Sequence, residues 1–156
     1  MAQTTGALPK SSFQVEVSTD GATWTDISGS ASSVEEPEQA RKSGEAFTAL
    51  GDVAVIVSGK REPMEIVVNG VYTEETDEMF EVLRDIHEAG GAVYFRYASQ
   101  GGATGAFQYT ACGDAGTAIP VVLTNLKYPG FEADSGDVVM TSFTVKTPAL
   151  AKAAIS

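Results

Sequence analysis

Only one stretch of this chain spaces its apolar residues like a helix, and the segments around it alternate or run like strands. Placed at about 100° intervals, Met79, Phe80, Val82, Leu83, Ile86 and His87 share one arc of residues 76–89. Asp77, Glu78, Glu81, Arg84, Asp85 and Glu88 fill the opposite arc. Thr73 or Thr76 is placed to cap the start, the early acids suit the positive end of the helix dipole, and Gly90 offers a left-handed stop. A helix with one apolar face must bury it, and here the partner on offer is a sheet.

The strands announce themselves by period two. In FQVEVS, Phe13, Val15 and Val17 point one way and Gln14, Glu16 and Ser18 the other, as in a half-buried strand. Asp20-Gly21 then predicts a tight hairpin into TWTDI, because both residues tolerate positive φ. VAVIVSG at 53–59 is nearly all apolar, as expected of a strand covered on both faces. The polar turn KREP leads from it into MEIVVNGVY at 64–72. After the helix, β patterning returns at 92–98, 107–112, 119–127 and 137–146, separated by the turn-rich GGATG, GDAG and EADSGD. The expected fold is mainly β: a β-sandwich or barrel of about eight mostly antiparallel strands with one flanking helix.

Between the first hairpin and the apolar run lies a stretch with neither period, a long early loop at about 29–51, rich in Ser, Glu and Gly. Loops of that length are functional or disordered. Its charged part, Glu35, Glu36, Glu38, Arg41 and Lys42, fits either a solvated flexible loop or an arm that orders on a neighbouring subunit. The ends, 1–12 and 147–156, are poor in large apolar residues and read as extended arms, with a helical turn as the alternative for TPALAKAAIS.

Composition removes several functions. With 156 residues, 43% of them apolar, the chain is sized for one domain. A net charge of -11 argues against partners held by their phosphates, which clustered Lys and Arg would bind. Cys112 is the only cysteine, so no internal disulfide can form, and it reads as a small buried hydrophobe. No apolar run approaches the roughly 18 residues of a membrane span, and MAQTTGALPK lacks the order of a signal peptide; a soluble protein of cytoplasmic origin is expected.

Chemistry-bearing constellations are sparse. A nucleophilic triad needs a histidine base, and the sole histidine, His87, sits at the edge of the helix's apolar arc as a structural residue. Zinc needs three or four N or S ligands where one His and one Cys exist. The densest acids, Glu74, Glu75, Asp77, Glu78, Glu81, Asp85 and Glu88, are those of an exposed helix face. GGATG at 101–105 lacks the Gly-Lys-Ser/Thr of a phosphate loop and leads into a strand, so a hairpin loop is expected. Phe95 and Phe107 are expected in the core, with Tyr94 in cross-strand packing or on a recognition surface. No catalytic, cofactor or metal site is expected.

The order of elements has a counterpart. The stretch VVNGVYTEETDEMFEVLRDIHEAGGAVYFRYASQGGATGAFQYTA, the closing YPGFEADSGDVVMTSFTVKTPAL and the opening DGATW together resemble the major tail protein, or tail tube protein, of long-tailed bacteriophages. The resemblance spans most of residues 13–150. It implies one tail-tube-like domain over 1–156 that forms hexameric rings, whose inward strands close into a β-barrel. Rings stack into the virion's tail tube, the conduit for DNA ejection, and the same fold serves contractile tails and type VI secretion. It further implies that the long loop reaches an adjacent ring, with Val34, Glu35, Glu36, Pro37, Glu38, Arg41, Lys42, Phe47 and Leu50 as contact residues. Implied partners are other copies of the chain, tail tip or initiator, tape measure and tail terminator proteins. DNA would be transient non-specific cargo, membranes would not be bound, and assembly would occur in the host cytoplasm. A negative lumen would repel phosphate.

Two other classes stand beside this reading. A carbohydrate-binding or adhesin-like β-sandwich would need an exposed aromatic platform, and a carboxylate enzyme would need a deep pocket holding two acids with separated pKa values. Within the structural class, a tail terminator or secretion-tube subunit shares the fold.

Overall fold

The computed structural model describes residues 2–156. Eleven strands and one helix follow in the order β1 (Phe13–Ser18), β2 (Thr25–Asp26), β3 (Ala31–Val34), β4 (Arg41–Ala46), β5 (Val55–Arg61), β6 (Met64–Val71), α1 (Met79–Glu88), β7 (Ala92–Ser99), β8 (Phe107–Cys112), β9 (Val121–Lys127), β10 (Met140–Thr147) and β11 (Ala149–Ala154). Nine strands form one antiparallel sheet, in which the start of β7 pairs with β9 and the rest with β1 and β8. Strand β7 thereby joins two layers, β11-β8-β7-β1-β2 and β9-β10-β6-β3. Their inner faces meet where the ring of Phe95 lies edge-on to Phe143 at 6.2 Å, both fully buried among Val15, Val17, Ile66, Val68 and Val145.

The helix closes this core. Met79, Phe80, Leu83 and Ile86 are buried and Val82 is half-buried, packed over β9, β10 and β7. Each such side chain contributes about 1.5–3 kcal/mol on burial, which is what holds a ten-residue helix that would be marginal alone. Phe80 sits between Tyr72 and Tyr128, with ring centroids 4.9 and 5.5 Å away. The chain leaves the helix through Gly90 and Gly91, at φ 118° and 82°, and the Gly91 N–H donates to the Ile86 carbonyl at 2.9 Å.

The start of the helix differs from expectation. The helix begins at Met79, three residues later than its sequence pattern suggests, and neither threonine caps it. Thr73 donates its hydroxyl to the Glu78 carboxylate, and the cap of the first turn comes from Ser30, whose Oγ accepts the buried Met79 N–H at 3.0 Å. A donor at a helix start needs an acceptor, and tertiary contact supplies it here from 49 residues away.

Two aromatic and tail expectations are also corrected. Phe95 is buried, but Phe107 is 46% exposed, its ring covered by the Lys152 ammonium 4.1 Å from the centroid. The C-terminal segment is neither a free arm nor a helical turn: β11 pairs along the whole of β8, from Ala149↔Cys112 to Ala154↔Phe107. Residues 2–12 form no strand. Cys112 is buried and His87 is exposed in the last turn of the helix.

The opening turn is longer than two residues and is organised by side chains. Asp20 Oδ1 accepts the N–H groups of Ala22 and Thr23 at 2.8 and 2.9 Å and the Ser18 hydroxyl at 3.0 Å, with Gly21 at φ 79°. The Thr23 and Ala22 amides, then the Ser18 hydroxyl, hold the carboxyl below its ordinary value of 3.8. A folded pKa below the unfolded one stabilises fully above the unfolded value and is lost as pH falls through the folded one. Asp20→Asn is therefore expected to be less stable than wild type at pH 7, with the gap narrowing below about pH 4 as the wild-type carboxyl protonates. Urea midpoints of both proteins between pH 3 and 7 check this; a gap constant across that range would refute it.

Candidate interaction surface

The region expected as a loop at 29–51 contains two strands. Strand β3 pairs with β6 and β4 with β5, and the space between is bridged by Glu35 N–H to Val67 O at 2.9 Å and Glu62 N–H to Ala40 O at 2.8 Å. Residues 31–71 are thus one long hairpin whose first half lies in the sheet and whose second half leaves it. The bend falls at the polar 35–40 segment and at Glu62-Pro63, where proline cannot donate to the ladder. KREP is accordingly no turn between paired strands, since β5 and β6 lie end to end on one side of the hairpin.

Every residue of β4 and β5 is exposed. The apolar run at 53–59 is therefore not covered on both faces, as its composition suggests, but bare on both. Phe47, Leu50 and Val53 at the tip are 73%, 100% and 77% exposed, and Val55, Ile56 and Val57 are exposed along the shaft. Six large apolar side chains are so displayed over the two faces of the ribbon and its tip, where scattered single apolar residues would be ordinary but a cluster marks a contact surface.

The root of the hairpin has two charged sides. Glu35, Glu36, Glu38, Glu62 and Glu65 line one crook of about 740 Å³, with Lys42 and Lys146. Arg41, Lys60 and Arg61 line the other, of about 450 Å³, beside Asp114, Pro148 and Ala149. The root is pinned by Gln39, whose Nε2 donates to Pro148 O at 2.7 Å and to Glu62 O at 3.1 Å. A third hollow, of about 910 Å³, opens beside β3 between the N-terminal segment and the Tyr97–Tyr109 ring stack, whose centroids are 5.6 Å apart. Burial, and then the neighbouring Tyr109, push the Tyr97 phenol above its ordinary value.

Of the residues singled out in the sequence, Val34, Glu35, Glu36, Pro37 and Glu38 lie at the root, Arg41 and Lys42 on the shaft and Phe47 and Leu50 at the tip. Of the acids expected on the helix face, Asp85 and Glu88 are exposed and Glu81 half-exposed on α1, whereas exposed Asp77 and half-exposed Glu78 precede the helix because it starts only at Met79; Arg84 pairs with Glu88 at 3.1 Å. Tyr94 packs edge-on to Trp24, over which Arg96 lies 4.0 Å from the ring centroid while bonding Glu16 at 3.0 Å. Val55, Ile56 and Val57 were missed as surface residues; their apolarity beside a charged root was the available signal. Among the described residues no three His, Cys, Asp or Glu side chains group to hold a metal ion, and no helix is long and apolar enough to cross a membrane.

The architecture is a two-layer antiparallel body with one helix and one bare apolar hairpin. Among solved structures it is the tail tube protein fold. The chain matches a subunit of the PVC sheath-tube complex of an extracellular contractile injection system, with TM-score 0.72 and 15% identity over 97% of this chain and 94% of that one. It matches a chain in the C6-symmetric tail of an empty GTA particle at TM-score 0.66 and 10% identity, over 96% and 100%. The SPP1 tail tube matches at TM-score 0.65 and 10% identity, over 95% and 80%. No protein-family model and no curated protein matches the sequence.

Proposed function

We propose that this chain is a non-catalytic structural subunit that assembles with copies of itself into hexameric rings, stacked as the tail tube of a phage-like particle and serving as its conduit for DNA. The observation that carries this reading is the hairpin formed by β4 and β5, apolar on a shaft that nothing in its own chain covers. An exposed two-stranded ribbon with open edges is an aggregation hazard unless a partner completes it. The opposite charges on the two sides of its root suit a head-to-tail contact, in which one copy's glutamates face the next copy's Arg41, Lys60 and Arg61. That a chain in a C6-symmetric tail has this fold supports a sixfold ring.

The outer face of the β9-β10-β6-β3 layer gives the proposed lumen a definite chemistry, if that layer faces inward. Its outward positions include the exposed pair Glu65 and Lys146, half-buried Thr144 opposite half-buried Val67, and half-buried Asn69 opposite buried Ser142, a mostly polar set in which the Glu65 and Lys146 charges balance. The acids of the helix lie elsewhere, so repulsion of phosphate would come from the summed field of a ring and not from a lining of carboxylates. Tail tip, tape measure and terminator proteins are the proposed further partners. A terminator subunit is the second reading, favoured by the same fold in the PVC sheath/tube terminator.

Negative-stain electron microscopy of the purified protein at rising concentration separates these outcomes. Hollow tubes with a repeating stack are expected. Rings that never stack would favour the terminator, and a monomer that binds a glycan array would sink the assembly reading.

A further inference from the structure

We propose that Gln39 is a latch: its side-chain amide holds the β4–β5 ribbon at a fixed pitch to the body, and when it lets go the ribbon swings about the bend at 35–40 and 62–63. The device belongs to the single subunit and stands apart from the self-assembly reading. A ribbon with every residue exposed takes no packing from the body, so its direction is set at its root. Hollows of about 740 and 450 Å³ flank that root, one on each side, and leave room for movement. The bridging bonds from Glu35 N–H to Val67 O and from Glu62 N–H to Ala40 O join the hairpin's own strands; they keep the strands together without fixing the ribbon against the sheet. Among the described residues, the one hydrogen bond that leaves 35–62 for chain outside 31–71 runs from Gln39 Nε2 to Pro148 O, at 2.7 Å. The Lys10–Glu36 ion pair, 3.6 Å long with both side chains 89% exposed, adds little to it.

The amide is built for this task. It carries two protons, and besides Pro148 O it reaches Glu62 O at 3.1 Å, so one group ties both strands of the bend to the body. Its anchor is rigid. Pro148 stands where the chain crosses from β10 to β11, between fully buried Thr147 and Ala149, and the Thr147 hydroxyl donates to Ala149 O at 2.8 Å. Ala149 in turn pairs with Cys112 in β8. The pitch of the ribbon is thus set against the crossover between the two layers. Charge supplies resting places once the amide lets go. Lys42 lines one hollow with the glutamates of the root, and Lys60 and Arg61 line the other with Asp114. Among the described residues none of these three cations is in an ion pair at the latched pitch. A swing to either side brings opposite charges together, which gives a released ribbon two favoured positions.

Spin labels read the pitch directly. Ala49→Cys at the tip and Ala153→Cys on β11 give exposed sites, whereas the native Cys112 is 2% exposed and takes no label. The full chain carrying both labels is diluted into a large excess of unlabelled chain, and the distance from tip to body is measured by double electron–electron resonance. With Gln39 intact, one narrow distribution is expected. One half-buried hydrogen bond shifts a population roughly twofold to tenfold. Gln39→Leu should therefore raise the fraction at other distances at least twofold, and Gln39→Glu, whose carboxylate meets two carbonyl oxygens, should raise it further. The urea midpoint of the body should stay where it was in both. Distributions as narrow in the two variants as in the parent would overturn the latch and leave the pitch to the bridging bonds. A parent distribution that is already broad would overturn it too, since nothing would be held. If Gln39→Leu does not fold, Gln39→Glu, which keeps the size and polarity of the side chain, decides by the same two criteria.

Discussion

Aspartates at Leu50 and Ile56 are expected to abolish polymers and leave the folded subunit as stable as wild type. Both side chains are bare, at 100% and 70% exposure, so their replacement removes no contact within the chain and should move stability by no more than about 0.5 kcal/mol each. In an assembled contact the same positions become buried, and a carboxylate with no partner there costs several kcal/mol. At about 1.4 kcal/mol per tenfold, a penalty of about 3 kcal/mol per contact raises the concentration needed for assembly more than a hundredfold. Sedimentation velocity should show a monomer with unchanged circular dichroism. Tubes forming at wild-type concentrations would show that the hairpin is not the joint.

Gly70→Ala is expected to destabilise the fold itself by about 3 kcal/mol. Gly70 lies in β6 where the hairpin meets the helix, and a Cβ there would stand 2.7 Å from the Ser30 carbonyl oxygen and press on the Met79 thioether. The methionine end can swing aside, but the carbonyl is backbone and accepts the Val71 N–H at 2.8 Å. Moving it also shifts the Ser30 hydroxyl that caps the helix. Overpacking at a fixed point costs about 1–3 kcal/mol, and losing a cap adds about 1. Urea denaturation measures the sum. A loss under 0.5 kcal/mol would mean that the Ser30, Gly70 and Met79 junction is loose enough to give way.

The helix was legible because its apolar face is buried, and burial imposes a period. Met79, Phe80, Leu83 and Ile86 recur as a packed face must. The sequence RKSGEA of β4 shows no alternation because neither of its faces touches the core, and only its ladder to β5 makes it a strand. Strand β5 read correctly as a strand but not in its surroundings, since apolarity records that a residue will be covered and not which chain covers it. The alanine-rich ALAKAA suits a helix by propensity, yet the open edge of β8 decided its state. Ser30 as the helix cap had no local sign at all, because capping signatures are read within a few residues and this one bridges 49. Of the candidate surface, Phe47 and Leu50 were visible from the sequence as part of an arm, whereas the third hollow depends on folding, which brings residues 8–13, 32–37, 97–99 and 109 to one place.

The continuity of the long hairpin has a mechanical consequence. Its two strands continue from the β9-β10-β6-β3 layer through the bend to the tip, and antiparallel hydrogen bonds stand perpendicular to the strands they join. A pull on the tip along the hairpin axis therefore loads the bonds of β6 to β3 and β10 side by side, in shear, instead of peeling them one after another. Force applied at such a joint would be shared across the eight register pairs of β6 with β10 before any of them parted. The hairpin is thus anchored as a tension member, and its weakest point under load is the bend at residues 35–40, where the ladder thins to two bridging bonds.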